Sequence, residues 1–156
     1  MTGVQTCALP ILSTSPSKEA DAKKLGATHF IVSTNTETMK KYNSYFDVIL
    51  DTISANHDFT TYLNLLTTNG KLLVVGLPIE APKVQPFSLV TNRRSVIGSS
   101  IGGMKETQEM LDYCAQHNIV SDIEIIPMQA INEAYTRMLK GDVKYRFVID
   151  LASLKS

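Results

Sequence analysis

Two apolar runs separated by one amphipathic stretch constrain this chain more than anything else in it. Phe46-Asp47-Val48-Ile49-Leu50-Asp51-Thr52-Ile53 is apolar at most positions, and Lys71-Leu72-Leu73-Val74-Val75-Gly76 is another such run. A strand with one solvated face alternates apolar and polar residues. A near-continuous run instead predicts a strand buried on both faces. Between the runs, Phe59, Tyr62, Leu63 and Leu66 fall at i, i+3, i+4 and i+7, one face of a helix, with Asn69-Gly70 expected to end it. Strand, helix and strand in that order predict a mainly parallel sheet with helices on its faces.

The rest of the chain extends the alternation. Ile11-Leu12-Ser13-Thr14-Ser15 reads as the end of a strand. A helix follows, with Ser15 as cap, Pro16 at its first position and Gly26 at its close. His29 to Ser33 is a short apolar strand, and residues 34–45 read as a loop or weak helix. Pro78, Pro82 and Pro86 mark an extended loop before a strand at Ser95 to Ser99. Lys105 to His117 is expected to be a helix with Leu111 and Cys114 facing inward. Ala130 to Lys140 is another, with Ile131, Ala134, Tyr135 and Met138 at helical spacing and Gly141 behind it. Tyr145 to Asp150 is the last expected strand.

Length and composition exclude several classes. The 156 residues suffice for one domain of ordinary size. With 44% hydrophobic and 19% charged residues, neither disorder nor a fibrous repeat is expected. Fifteen Lys+Arg balance 15 Asp+Glu, which removes the bulk electrostatic argument for nucleic acid or an acidic membrane as partner. No apolar run approaches the ~20 residues of a membrane span. Cys7 and Cys114 cannot make a disulfide framework or a four-cysteine zinc site. Met1 to Leu12 lacks the basic start and long apolar stretch of a signal peptide. The expectation is a soluble protein of a reducing compartment, the cytoplasm. Residues 1–11 carry no usable period and read either as a non-native leader, like translated adapter sequence, or as a frayed natural terminus.

Three stretches carry a family resemblance. They are Leu25-Gly26-Ala27-Thr28-His29, then Asp51-Thr52 through Asn69-Gly70-Lys71-Leu72 and Gly76, and finally Gly98 to Thr107 together with Asp142 to Val148. In this order and spacing the chain, from about Leu12 to Leu151, resembles the C-terminal half of the zinc-type medium-chain alcohol dehydrogenases, in the cinnamyl-alcohol-dehydrogenase subfamily. The resemblance implies a fold class: α/β, an incomplete Rossmann-type doubly wound parallel sheet followed by the tail of a catalytic domain. In the sheet order 3-2-1-4-5-6 of such folds, the first strand here would be the second. The first strand and its G-x-G-x-x-G turn are expected upstream; Gly98, Gly102 and Gly103 have the wrong spacing. By the same resemblance, residues 12–102 are part of an NADP-binding domain and residues 103–156 the C-terminal portion of the catalytic, GroES-like domain. The zinc ligands of the family would lie upstream, so neither catalytic nor metal-ligating residues are expected here.

What remains is a cofactor site. Dehydrogenases that choose NAD place an acidic residue at the end of the second strand, on the ribose 2′-hydroxyl. Here that place holds Ser13, Thr14 and Ser15, with Lys18 one turn on. Hydroxyls and an ammonium can bind a 2′-phosphate that a carboxylate would repel, and the resemblance likewise implies NADP. The competing reading is a capped helix start with a solvated lysine. Thr52 and Gly76 fall at strand carboxyl ends, where open α/β sheets bind ligands. The resemblance places them at the nicotinamide, with Gly76 a glycine so that backbone can approach the ring, or simply a turn residue before Pro78. Ser99, Ser100 and Ile101 resemble the stretch that contacts the nicotinamide amide and lines the substrate cleft. Ser100 stands where many relatives have an aromatic residue, which would open the pocket.

Other polar residues are expected to be structural. His29, His57 and His117 are too dispersed for a metal site, and His57 reads as a surface or capping residue. Arg93-Arg94 reads as a solvated pair. The resemblance implies a homodimer paired along the Ser95–Ser99 edge, acting on a small alcohol or aldehyde. By itself the chain is expected to be inactive, with two interior strand edges left unpaired and a tendency to aggregate. The alternative is a stand-alone module that binds NADP or a partner without catalysis.

Overall fold

A computed structural model describes residues 9–155. It divides into a unit ending at Ser100 and a second running from Ile101. The first unit holds β1 (Pro10–Ser13), a 3-10 turn (Pro16–Lys18), α1 (Glu19–Lys24), β2 (His29–Val32), α2 (Thr36–Lys40), β3 (Phe46–Asp51), α3 (Phe59–Leu65), β4 (Leu66–Val74), α4 (Pro86–Val90) and β5 (Ser95–Gly98). All its strand pairs are parallel, as the crossover helices require.

The sheet is split. β1 pairs with β2, and β3, β4 and β5 form a second sheet in that order. One edge of β1 and one edge of β3 therefore have no strand beside them among the described residues. The break falls between the strands that flank position 1 in the 3-2-1-4-5-6 order. A single apolar cluster nevertheless includes residues from both groups: Ile31 of β2 is in it with Met39, Phe46, Ile49, Leu63 and Leu72. Burial of this continuous surface holds the unit together. Pro10 and Ile11 form the start of β1 against His29 and Phe30, so the strand expected from Ile11 begins one residue earlier. Residues 1–8, including Cys7, lie outside the described residues.

Several expectations need correction. β3 is buried on one face only, for Val48 is 52% and Leu50 61% exposed. The register lines Leu50 up with Leu73 and Ile97 across three strands, so the poorly covered row is continuous. An apolar run reports what a strand can bury, not what is present to bury it. The α3 helix stops at Leu65, well before Asn69-Gly70, because Leu66 turns extended and enters β4. Asn69, at φ 64°, and Gly70 instead form the irregularity at which the β3–β4 register shifts. A Cβ on Gly70 would lie 2.7 Å from that of Leu66, so the position excludes side chains. Pro86 opens α4 rather than closing a loop. Ser15 stands at the N-cap of the 3-10 turn without a side-chain cap bond, whereas Gly26, at φ 98°, does end the α1 region.

The second unit holds α5 (Met104–Gln116), β6 (Glu124–Pro127), a 3-10 turn (Met128–Ala130), α6 (Ile131–Leu139), β7 (Phe147–Asp150) and a closing 3-10 turn (Leu151–Lys155). β6 and β7 pair in parallel. β6 was not expected, although Ile123, Ile125 and Ile126 signal it. The expected inner face of α5 is not buried: Leu111 is exposed and Cys114 only half-buried. On α6, Ala134 is buried but Tyr135 is exposed. Arg137 organises this unit. It forms a fork with Glu124 (2.5 and 2.9 Å), a bond to Asp142 (2.9 Å) and a stack on the Phe147 ring (4.9 Å). The paired carboxylates push the guanidinium pKa up.

Candidate cofactor edge

The candidate residues gather where strands end. In the larger sheet, Asp51, Val74 and Gly98 lie in register, so the chain leaves three neighbouring strands at one level. Thr52 follows Asp51 directly and is exposed. Gly76 lies two residues beyond β4, and its amide donates to the Asp51 carbonyl at 3.1 Å. Ser99 follows β5, donates its amide to Val74 O at 3.0 Å and is exposed, as is Ser100. Thr52, Gly76 and Ser99 thus share one edge of one sheet. Ile101 opens the second unit and is exposed there.

Gly76 has a reason within the chain to be glycine. A Cβ there would lie 2.2 Å from the carbonyl oxygen of Ile53 and 2.6 Å from its carbon. The two chain ends touch backbone to backbone, and no rotamer change relieves such a clash.

Ser13, Thr14, Ser15 and Lys18 leave the other sheet at the end of β1. Ser13 Oγ accepts from the Ser15 amide at 3.2 Å, which leaves its hydroxyl hydrogen free to donate. Thr14 and Lys18 are exposed. Residues 13–18 contain no carboxylate, and the nearest, Glu19, is bonded to Lys23 at 2.6 Å. Hydroxyl donors with an ammonium and no acid suit a phosphate monoester, so these residues fit the 2′-phosphate of NADP.

Two groups escaped the reading of the sequence, His57 at this edge and Arg94 at the opposite, amino end of the strands. His57 is not a surface residue: its side chain is 12% exposed, and Nε2 lies 2.9 Å from Oδ2 of buried Asp51. The signal was Asp51 itself, an acid inside an apolar run, which must find a partner when buried. Arg94 is likewise not solvated. It is 8% exposed and donates to the carbonyls of Leu66 (2.9 and 2.7 Å), Ser88 (3.1 Å) and Asn64 (3.4 Å). It therefore serves the carbonyls left open where α3 ends. Burial pushes its pKa down from the ordinary arginine value. Asp58 caps the start of α3 through the amides of Thr60 (3.0 Å) and Thr61 (3.2 Å). Burial pulls its pKa up, but the Thr61 hydroxyl, which donates to Oδ2 at 2.8 Å, and these amides outweigh that and hold it below the usual carboxylate range. Beside the turn lies a cleft of about 410 Å³ lined by Asn56, His57, Asp58, Glu80, Pro82 and Lys83.

Among the described residues, no group of three or more His, Cys, Asp or Glu side chains is placed to hold a metal ion. No helix among them is long and apolar enough to cross a membrane.

Parallel strands joined by helices, with exposed polar residues and a glycine where the strands end, define a Rossmann-like α/β fold. Comparison with known proteins narrows it. The profile described as zinc-binding dehydrogenase matches residues 7–116. A probable mannitol dehydrogenase of Medicago sativa is 54% identical over 144 residues, covering 92% of this chain and 40% of the relative. A cinnamyl alcohol dehydrogenase structure from Sorghum bicolor superposes with a TM-score of 0.86 at 37% identity, over 92% of this chain and 41% of that one. The CAD of Helicobacter pylori, in complex with NADP(H), gives 0.77 at 38% identity, over 94% and 41%. The chain belongs to the zinc-binding dehydrogenase family and is a cinnamyl-alcohol-dehydrogenase-like member of its zinc-type medium-chain alcohol dehydrogenases. It spans about two fifths of the length of these relatives.

Proposed function

We propose that this chain is a fragment of an NADP-dependent zinc alcohol dehydrogenase, comprising part of its cofactor domain and the C-terminal portion of its catalytic domain. The observation that carries the reading is the end of β1, where Ser13, Thr14, Ser15 and Lys18 offer donors and positive charge without a carboxylate. NADPH, when bound, supplies hydride to the carbonyl carbon of an aldehyde while the oxygen takes a proton, giving alcohol and NADP⁺. The chain's own residues bind and orient. Ser13, Thr14, Ser15 and Lys18 hold the 2′-phosphate. Thr52, Gly76 and Ser99 line the nicotinamide end, where the backbone contact at Gly76 fixes the distance between two chain ends. Ser100 and Ile101 border the substrate. The described residues provide no zinc-ligand set, so in this reading zinc is held by residues outside them. A homodimer would pair through β5, whose Val96 and Ile97 are partly exposed at the sheet edge. Its place is the reducing cytoplasm.

Two measurements test this. The purified chain is expected to prefer NADPH over NADH in a binding titration, with Lys18→Glu removing the preference. Equal affinities in the unaltered chain would refute the phosphate site. The isolated chain should also show no NADPH-dependent aldehyde reduction, whereas fusion behind the upstream portion of a relative should restore it. Turnover by the isolated chain would overturn the fragment reading. Tight NADPH binding by the isolated chain, with no turnover from the fusion, would favour a stand-alone binding module.

A further inference from the structure

The turn that leaves β3 is tied down from several directions. The carboxylate of Asp51 accepts from the Ile53 amide at Oδ1 (3.0 Å), and its Oδ2 meets His57 Nε2 (2.9 Å). His57 Nδ1 lies 2.8 Å from the Ala55 carbonyl. A carbonyl only accepts, so Nδ1 carries a hydrogen, and the other contact holds a hydrogen between ring and carboxylate. One carboxylate thereby closes residues 51–57 from both ends. The Asp51 carbonyl in turn accepts from the amides of Val75 (2.9 Å) and Gly76 (3.1 Å). The His57 ring stands edge-on to Tyr62 at 5.5 Å and 5.0 Å from Phe59, fastening the turn to α3. Thr52, bracketed by these bonds, remains exposed.

A buried aspartate–histidine pair is a poor way to gain stability, because apolar residues of similar volume fill such a site as well. Its use is to fix geometry. We propose that Asp51 and His57 are positioning residues: they set the turn that carries Thr52 against Gly76, and so the affinity of this edge for the nicotinamide half of NADP. The inference rests on the cofactor reading above. The pair acts through Thr52 and Gly76 and touches no reacting atom.

The test uses the full chain and two variants that separate hydrogen bonding from packing. His57→Phe keeps the ring against Tyr62 and Phe59 but loses the donor; His57→Gln loses the ring but keeps an N–H for Asp51. Amide hydrogen exchange is read at Ile53, Val75 and Gly76, with Leu72 as reference, and NADP binding is read by titration of the same samples. His57→Phe is expected to speed exchange at those three amides by about tenfold, the worth of one buried hydrogen bond, without changing Leu72. NADP affinity should fall by a similar factor. His57→Gln should stay within about threefold of the unaltered chain on both readouts. The reverse order of the variants, or a uniform rise in exchange that includes Leu72, would show a packing role and overturn the proposal. If the unaltered chain binds NADP and His57→Phe binds it equally well, the positioning inference alone fails. If the unaltered chain does not bind NADP, the cofactor reading fails and takes this inference with it.

Discussion

Replacing Arg94 with methionine isolates the role of its guanidinium, because methionine keeps an unbranched stem of similar length in the same space. Three carbonyls lack a partner within the helix where α3 ends, and each finds one elsewhere. Asn64 O accepts from the Ser44 amide (3.0 Å) as well as from Arg94, and Leu65 O accepts from the Tyr45 amide (2.8 Å). Leu66 O takes both Nε and Nη2 of Arg94. Ser88 O, from α4, takes Nη1. Methionine leaves Leu66 O and Ser88 O without these donors, while Asn64 O keeps its amide. Each buried polar group left unpaired costs about 1–3 kcal/mol, so the loss is about 2–6 kcal/mol before relaxation. Against the stability of an ordinary domain, about 5–15 kcal/mol, that is a large fraction. Urea unfolding followed by far-ultraviolet circular dichroism reads it as a lower midpoint at unchanged slope. Arg94→Lys should recover part of the loss, since an ammonium can reach one carbonyl but cannot fork across two helix ends. If Arg94→Met lies within about 0.5 kcal/mol of the unaltered chain, the guanidinium does not organise the ends of α3 and α4.

Three further perturbations have stated outcomes. Asp58→Ala removes the cap of α3 and should cost about 0.5–2 kcal/mol near neutral pH. Since the folded-state pKa of Asp58 is depressed, its contribution is present above the unfolded value, about 3.9, and disappears as pH falls through the folded value. The unfolding curves of the two proteins should converge in that acid window, and a gap that persists below it would refute the assignment. Gly76→Ala drives a Cβ into the Ile53 backbone and should cost about 1–3 kcal/mol, with faster amide exchange at Val75; unchanged stability would show that the contact yields freely. Asp142→Asn removes one charge from the Arg137 network but leaves the Glu124 fork. The change in melting temperature should therefore be small and should shrink further in high salt, whereas a large salt-independent loss would place the network among buried interactions.

Much of the fold was legible in local sequence. β2, β3 and α6 fall close to where periodicity and apolar runs predict them, and Gly26 and Gly141 both have the positive φ expected behind a helix. Local pattern misled where a distant partner decided the outcome. The period of α3 continues through Leu66, yet Leu66 becomes a strand residue against Phe46, with its carbonyl taken by an arginine 28 positions away. No window of a few residues contains that arginine. The candidate site divides in the same way. The hydroxyls and lysine after β1 are visible because they follow an apolar strand directly. His57 is not, since its partner is revealed only when the turn brings it back to the end of β3.

The sequence by itself determined the alternation of strands and helices, the parallel α/β class and the absence of a carboxylate after the first strand. Those properties are local, set by side-chain periodicity and by the chemistry of adjacent residues. Only the tertiary structure decided which apolar rows are covered, why Gly76 admits no side chain, and that Arg94 and His57 are buried and bonded. These depend on what lies across a sheet or beyond a turn. Burial and hydrogen bonding are properties of assembled neighbours, and a one-dimensional pattern states only what each residue can contribute to them.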